Sequence, residues 1–285
     1  MIKPVEIKAK AGRKYPIYLQ SIVKGIPFTE IVIIGNKMPS KNLAEHQSEI
    51  TELVSQSKEK KGYGYTIEFQ TSNKKDIGMQ GLPVKFSFQT ESDFLKYLHK
   101  EKEVAEFRTN CLLILSDFPE LKEWIGKHTN KVIENKNQWN DILKVCNYFK
   151  QNPINNNLYI RELPIEVHTK FIEDNKGIFK ELLDILIKDH IQNEKDFEKR
   201  FNLKYEEPLI RFRILDENIS KQYFSKISDI SIPVSQFEQL KLPIRKVFVV
   251  ENKMNVLTFP IIKETIVIFG SGDGVENLKN TKLGL

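Results

Sequence analysis

Glu251 follows Val247-Phe248-Val249-Val250, four consecutive apolar residues of which three are β-branched. Such a run predicts a strand buried on both faces, as in a parallel sheet covered by helices. A carboxylate just past the carboxyl end of that strand stands where open α/β sheets place their chemistry. The alternative is a solvated residue that opens a loop. The second set of candidates is basic. Arg161 lies in YIRELP, 159–164, which reads as a short strand ended by proline, Lys170 follows it, and Arg211 and Arg213 alternate with apolar residues in LIRFRIL, 209–215. Cations so placed can contact phosphates, or they can be the wet face of a half-buried strand.

Other chemistries find less support. Cys111 and Cys146 are the only cysteines, without a CxxC or a Cys/His cluster, so neither a disulfide framework nor a structural zinc site is indicated. Cys146 lies on an apolar helical stripe and reads as a core residue. His168 reads as a capping histidine, since no serine, cysteine or aspartate is placed to complete a triad. The glycines at 62, 64, 78 and 81 lack the spacing of a phosphate loop, and Gly270-x-Gly272-x-Gly274 lacks that of a dinucleotide fingerprint. Lys58-Glu59-Lys60-Lys61 reads as a solvated helix end.

The elements that must position these residues follow from periodicity. EIVIIG, YTIEFQ and VKFSFQ predict strands, with a helix over about 40–61 between the first two, which makes a β-α-β-β module. Tyr15–Gly25 reads as a short helix or strand. Thr90, with Asp93 three residues on, predicts the cap of one long helix carrying Phe94, Leu95, Leu98, Val104, Phe107 and Leu112. Pro119 restarts the chain, Leu121, Trp124 and Ile125 line a short helix, and Trp139 to Phe149 line another. QNPINNN, 151–157, is the best candidate linker. Beyond it come helices opening near His168 and after Gly177, a short helix FEKRFNL, then LIRFRIL as a strand. Three helices closed by a strand is the order of a winged helix. TIVIF, 265–269, predicts a second buried strand.

At 285 residues, 40% hydrophobic and 29% charged, the chain has the composition of a soluble globular protein of more than one domain. Its net charge of +6 permits a polyanionic partner. The amino terminus has no signal-peptide core and no run approaches membrane-spanning length, so a cytoplasmic protein with no membrane association is expected.

Four segments carry a resemblance: LSDFPELKEWI (115–125), LYIRELPIEVHTKFIEDNKG (158–177), FEKRFNLKYEEPLIRFRILD (197–216) and VFVVENKMNVLTFP (247–260). In this order they resemble the JetD family, the nuclease subunits of Wadjet anti-plasmid defence systems. The resemblance implies an α+β protein with a small α/β arm domain over 1–110, a helical spacer over 111–157, a winged-helix-like DNA-binding domain over 158–240 and a Toprim-like sheet over 241–285. It implies that Glu251 holds Mg2+ or Mn2+ and serves in catalysis; Arg161, Lys170, Arg211, Arg213 and Lys253 are the residues expected to face double-stranded DNA. Condensin-like Wadjet subunits and a second copy of the chain are the implied protein partners. An Asp-x-Asp pair should follow a later strand, but none occurs after Glu251, and Asp273 in a glycine-rich turn is the only aspartate there. The expectation is therefore a Toprim-like centre truncated in this chain, with cleavage lost unless carboxylates come in trans. A non-catalytic module that dimerises or docks onto the condensin-like subunits is the alternative.

Overall fold

The computed structural model describes residues 1–35, 43–72 and 80–270, and the chain divides into two compact units, Met1–Leu203 and Lys204–Leu285. Helices and small sheets alternate in both, as a mixed α+β chain.

The first helix is longer than Tyr15–Gly25, spanning Pro4–Lys24. Pro4 opens it, where a missing N–H costs nothing, and the Lys3 N–H donates to the Glu6 carboxylate at 2.9 Å. Ile7, Ala11, Tyr15, Tyr18 and Leu19 form one buried stripe that carries the helix through Gly12 and Pro16. Strands β1 (Ile31–Ile34), β2 (Thr66–Ser72) and β3 (Gln80–Phe88) form an antiparallel sheet in the order β1-β3-β2, with helix Leu43–Ser55 between the first two in sequence. Tyr65, Phe86, Phe88 and Phe94 pack edge to face beneath it.

The Thr90 hydroxyl accepts the Asp93 N–H at 3.2 Å, as the spacing predicts. The helix it caps is short, however. His99 enters the left-handed region at φ 57°, ending Glu91–Leu98, and a new helix runs over Glu101–Asp117. The break resets the helical phase, so Leu112, expected in the apolar stripe, is exposed. Leu121, Trp124 and Ile125 are buried as expected, and so are Trp139, Ile142, Leu143, Cys146 and Phe149 of helix Trp139–Gln151. The 151–157 segment is not a boundary. There β4 (Asn155–Tyr159) begins and pairs with β5 (Leu203–Lys204), and a single buried cluster runs from Ile2 to Leu203.

The second unit holds β6 (Leu209–Ile214), β7 (Asp229–Pro233), β8 (Lys246–Val250) and β9 (Thr265–Phe269) in the order β7-β6-β9-β8. Only β8 and β9 are parallel; β6 runs antiparallel to both β7 and β9. Two expectations change here. The strand Val247–Val250 is not buried on both faces: among the described residues it lies at the sheet edge, with Phe248 39% and Val249 51% exposed. The doubly buried strand is β9, which has a strand on either side. LIRFRIL, expected to close a winged helix, instead joins the sheet that carries Glu251. Ile210, Phe212, Ile214, Ile266 and Ile268 pack on one face with Ile219 and Phe237. The opposite face holds Leu215, Val256 and Val267, with helix Lys253–Leu257 lying on it.

Candidate functional site

Because side chains alternate along a strand, burying Ile210, Phe212 and Ile214 turns Arg211 and Arg213 to the other face, beside helix Lys253–Leu257. Arg211 grips Asp229 with two hydrogen bonds, Nε to Oδ1 at 2.9 Å and Nη2 to Oδ2 at 2.5 Å. Arg213 does something different. Its Nη1 donates to the carbonyls of Val256 (3.2 Å), Leu257 and Phe259 (3.3 Å), at and just past the carboxyl end of the helix. The Arg211 hydrogen bonds hold the Asp229 carboxyl below its usual range, and the charges of Arg213 and Lys253 add to that. Arg211, Arg213 and Lys253 therefore all act on Asp229, and Arg211 is the one that pairs with it among the described residues.

Glu251 follows β8 directly, beyond the Gly270 N–H to Val250 carbonyl bond (3.0 Å) that closes the parallel pair. It is exposed, as are Asn252 and Lys253, and Asn252 caps the next helix by accepting the Met254 N–H at 2.8 Å. Among the described residues no three His, Cys, Asp or Glu side chains converge as a metal site. Glu251 is thus not part of a closed ligand cage among these residues, and a Mg2+ or Mn2+ ion held there would draw the rest of its oxygen ligands from phosphate and water. Asp273 lies outside the described residues.

In the first unit, Arg161 and Lys170 come together around a different carboxylate. Arg161 binds Glu173 through Nε at 2.9 Å and Nη2 at 3.0 Å. Arg161 is the main reason the Glu173 carboxyl sits below its usual range, with Lys176 and Lys170 contributing. Lys170 and Lys253 make no ion pair among the described residues.

The residue most easily missed in the sequence is Asp216. It is buried; its Oδ1 accepts the Asn218 (2.8 Å) and Ile219 (3.4 Å) N–H groups, capping helix Glu217–Phe224, while Oδ2 accepts the Glu264 N–H at 2.8 Å just before β9. These bonds, that of Glu264 foremost, hold its carboxyl low. The cap was readable from an aspartate before a helix; the second bond reaches a residue 48 positions away, which no local pattern announces. Burial pushes both cysteine thiols up to about 12, which leaves neither as a nucleophile. His168 caps helix Thr169–Asp174, its Nδ1 accepting the Lys170 N–H at 3.3 Å.

Residues 4–184 match the family described as an uncharacterized protein conserved in bacteria, amino-terminal part (DUF3322). Residues 202–284 match the carboxyl-terminal family of the Wadjet protein JetD. The chain belongs to the JetD family. The JetD match takes in Arg211, Arg213, Asp229, Glu251 and Lys253, the whole of the cation-rich sheet face. Among curated proteins, none matches the chain. No helix among the described residues is long and apolar enough to cross a membrane.

Proposed function

We propose that this JetD-family chain is a Wadjet defence component that binds double-stranded DNA through the Arg211, Arg213 and Lys253 face of its second unit. The observation that carries this reading is that Arg211 and Arg213 project from one face of β6 beside the helix that Lys253 opens, while Asp229 pairs with Arg211 alone among the described residues. Asp229 orients the Arg211 guanidinium and neutralises only part of the charge, so a phosphate oxygen can bind beside Lys253, which makes no ion pair among the described residues. Lys170, beside the Arg161–Glu173 pair, offers a second contact in the first unit. Binding of this kind is independent of base sequence and weakens with salt.

The proposed role for Glu251 is that of the family's metal-holding glutamate, with further carboxylates drawn from beyond the described residues or from another chain. Plasmid nicking with Mg2+ or Mn2+ that disappears in a Glu251→Ala protein would support that role; no nicking with either metal would remove it. DNA binding is tested separately, by titrating a duplex at several salt concentrations with the Lys253→Glu and Lys170→Glu proteins.

One observation favours a second reading, in which the second unit docks onto another protein. The β8 edge exposes Phe248 and Val249, and Met254, Leu257 and Ile261 are exposed nearby in sequence. Edge strands with exposed apolar side chains pair readily with other chains. A homodimer, or a complex with condensin-like subunits, that is lost in a Val249→Lys protein while duplex binding is absent would favour this reading over the first.

A further inference from the structure

We infer that β1, at the edge of the first unit's sheet, is a docking strand for an extended acidic segment of a partner protein, which adds a strand beside it. The inference starts from register. The Gly35 N–H donates to the Val84 carbonyl at 2.9 Å, and Ile33 pairs with Phe86 and Ile31 with Phe88. In an antiparallel ladder the hydrogen-bonded residues alternate, so Ile31, Ile33 and Gly35 turn their backbone groups to β3. Val32 and Ile34 turn theirs outward. One of those outward groups is already engaged: Lys10 Nζ donates to the Ile34 carbonyl at 3.1 Å. Among the described residues no strand pairs with this edge of β1, and Lys10 sets a charged donor on it.

A groove runs along this edge between β1 and the first helix, lined by Lys10, Arg13, Lys14, Ile17, Val32 and Ile34. Ile17 and Ile34 are 60% and 58% exposed, which supplies an apolar wall for alternate side chains of an added strand. Lys10, Arg13 and Lys14 make no ion pair among the described residues and form the cationic wall. Glu30 stands at the opposite end of the groove, so acidic side chains belong at the Ile34 end. This combination of main-chain pairing, apolar pockets and a charged rim is that of strand addition. A second copy of the chain is a poor occupant, because a two-fold pairing of β1 edges would set like-charged helices against each other. A duplex would use the cations but not the open Val32 groups or the isoleucines.

The test uses the full chain and a fluorescent peptide alternating valine and glutamate, with a valine–lysine peptide and a duplex as comparisons, read by anisotropy. Val32→Pro is the decisive variant: the Val32 N–H faces outward, so proline removes a docking donor and leaves the β1–β3 ladder intact. The expected result is that the acidic peptide binds, the basic one does not, and Val32→Pro weakens binding about tenfold or more. Charge reversal at Lys10, Arg13 and Lys14 should abolish it without altering the circular dichroism spectrum. No binding of the acidic peptide, or equal binding by wild type and Val32→Pro, would overturn the inference. So would a duplex that binds through Lys10, Arg13 and Lys14 while the peptide does not.

Discussion

Glu173 and Asp229 are each ringed by cations, yet the two clusters are built differently. At Glu173 the arginine reaches out from a 3-10 turn, Ile160–Glu162, with Arg161 62% exposed. At Asp229 the arginines come from β6, an interior strand of the sheet, and one of them spends its guanidinium on the end of a helix. The same residue type is thus a surface partner in one unit and part of the scaffold in the other. Net charge does not distinguish these roles; the alternation of buried residues around the arginine does.

The largest effect should come from Arg213. An Arg213→Met protein takes the guanidinium donor from the carbonyls of Leu257 and Phe259 and leaves Val256 only its backbone partner, and we expect a loss of ~2–3 kcal/mol in denaturant unfolding. Arg213→Lys should recover only part, because an ammonium cannot reproduce the planar fork. An unchanged midpoint would erase the contrast between the clusters.

Asp216→Asn should cost ~1–2 kcal/mol, since an amide can accept at the helix cap or from Glu264, but turns a donor toward the other. The acid side of the stability profile sharpens this. The Asp216 and Asp229 carboxyls are held low when folded, so their contribution is complete above the unfolded value near ~3.9 and is lost as pH falls through the folded values. Melting between neutral and acid pH should therefore show a shallower acid loss in Asp216→Asn and Asp229→Asn than in wild type.

The Arg211–Asp229 pair is about one third exposed on each side, and a double-mutant cycle should give no more than ~1 kcal/mol of coupling. The smallest effect belongs to Arg161. Replacing it by Met should leave the melting temperature unchanged, as expected of a pair held in solvent.

Much of this was readable from the sequence where local signals act alone. The Thr90 cap, the Pro119 restart, the Trp139 to Phe149 stripe and the alternation in LIRFRIL each depend on residues a few positions apart, and the structure realises all four. Local signals fail where a distant neighbour decides. VFVV has the composition of a buried strand, but its place at the edge is set by β9 pairing with β6 on the other side. QNPINNN has linker composition, but β5, dozens of residues later, pairs with the strand that starts there. His99 carries no breaker signal in its own type, so the interrupted helix was invisible. The family resemblance was legible because its motifs lie in order along the chain, whereas the engagement of Arg213 with helix carbonyls requires the folded sheet.

The most direct test of the DNA-binding proposal is duplex affinity as a function of salt for wild type and Lys253→Glu, with Arg161→Met as the comparison. The account expects log affinity to fall linearly with log salt and Lys253→Glu to bind more weakly, with a slope smaller by about one phosphate contact, while Arg161→Met stays close to wild type. No duplex binding at low salt, or a Lys253→Glu protein that binds as well as wild type, would contradict it.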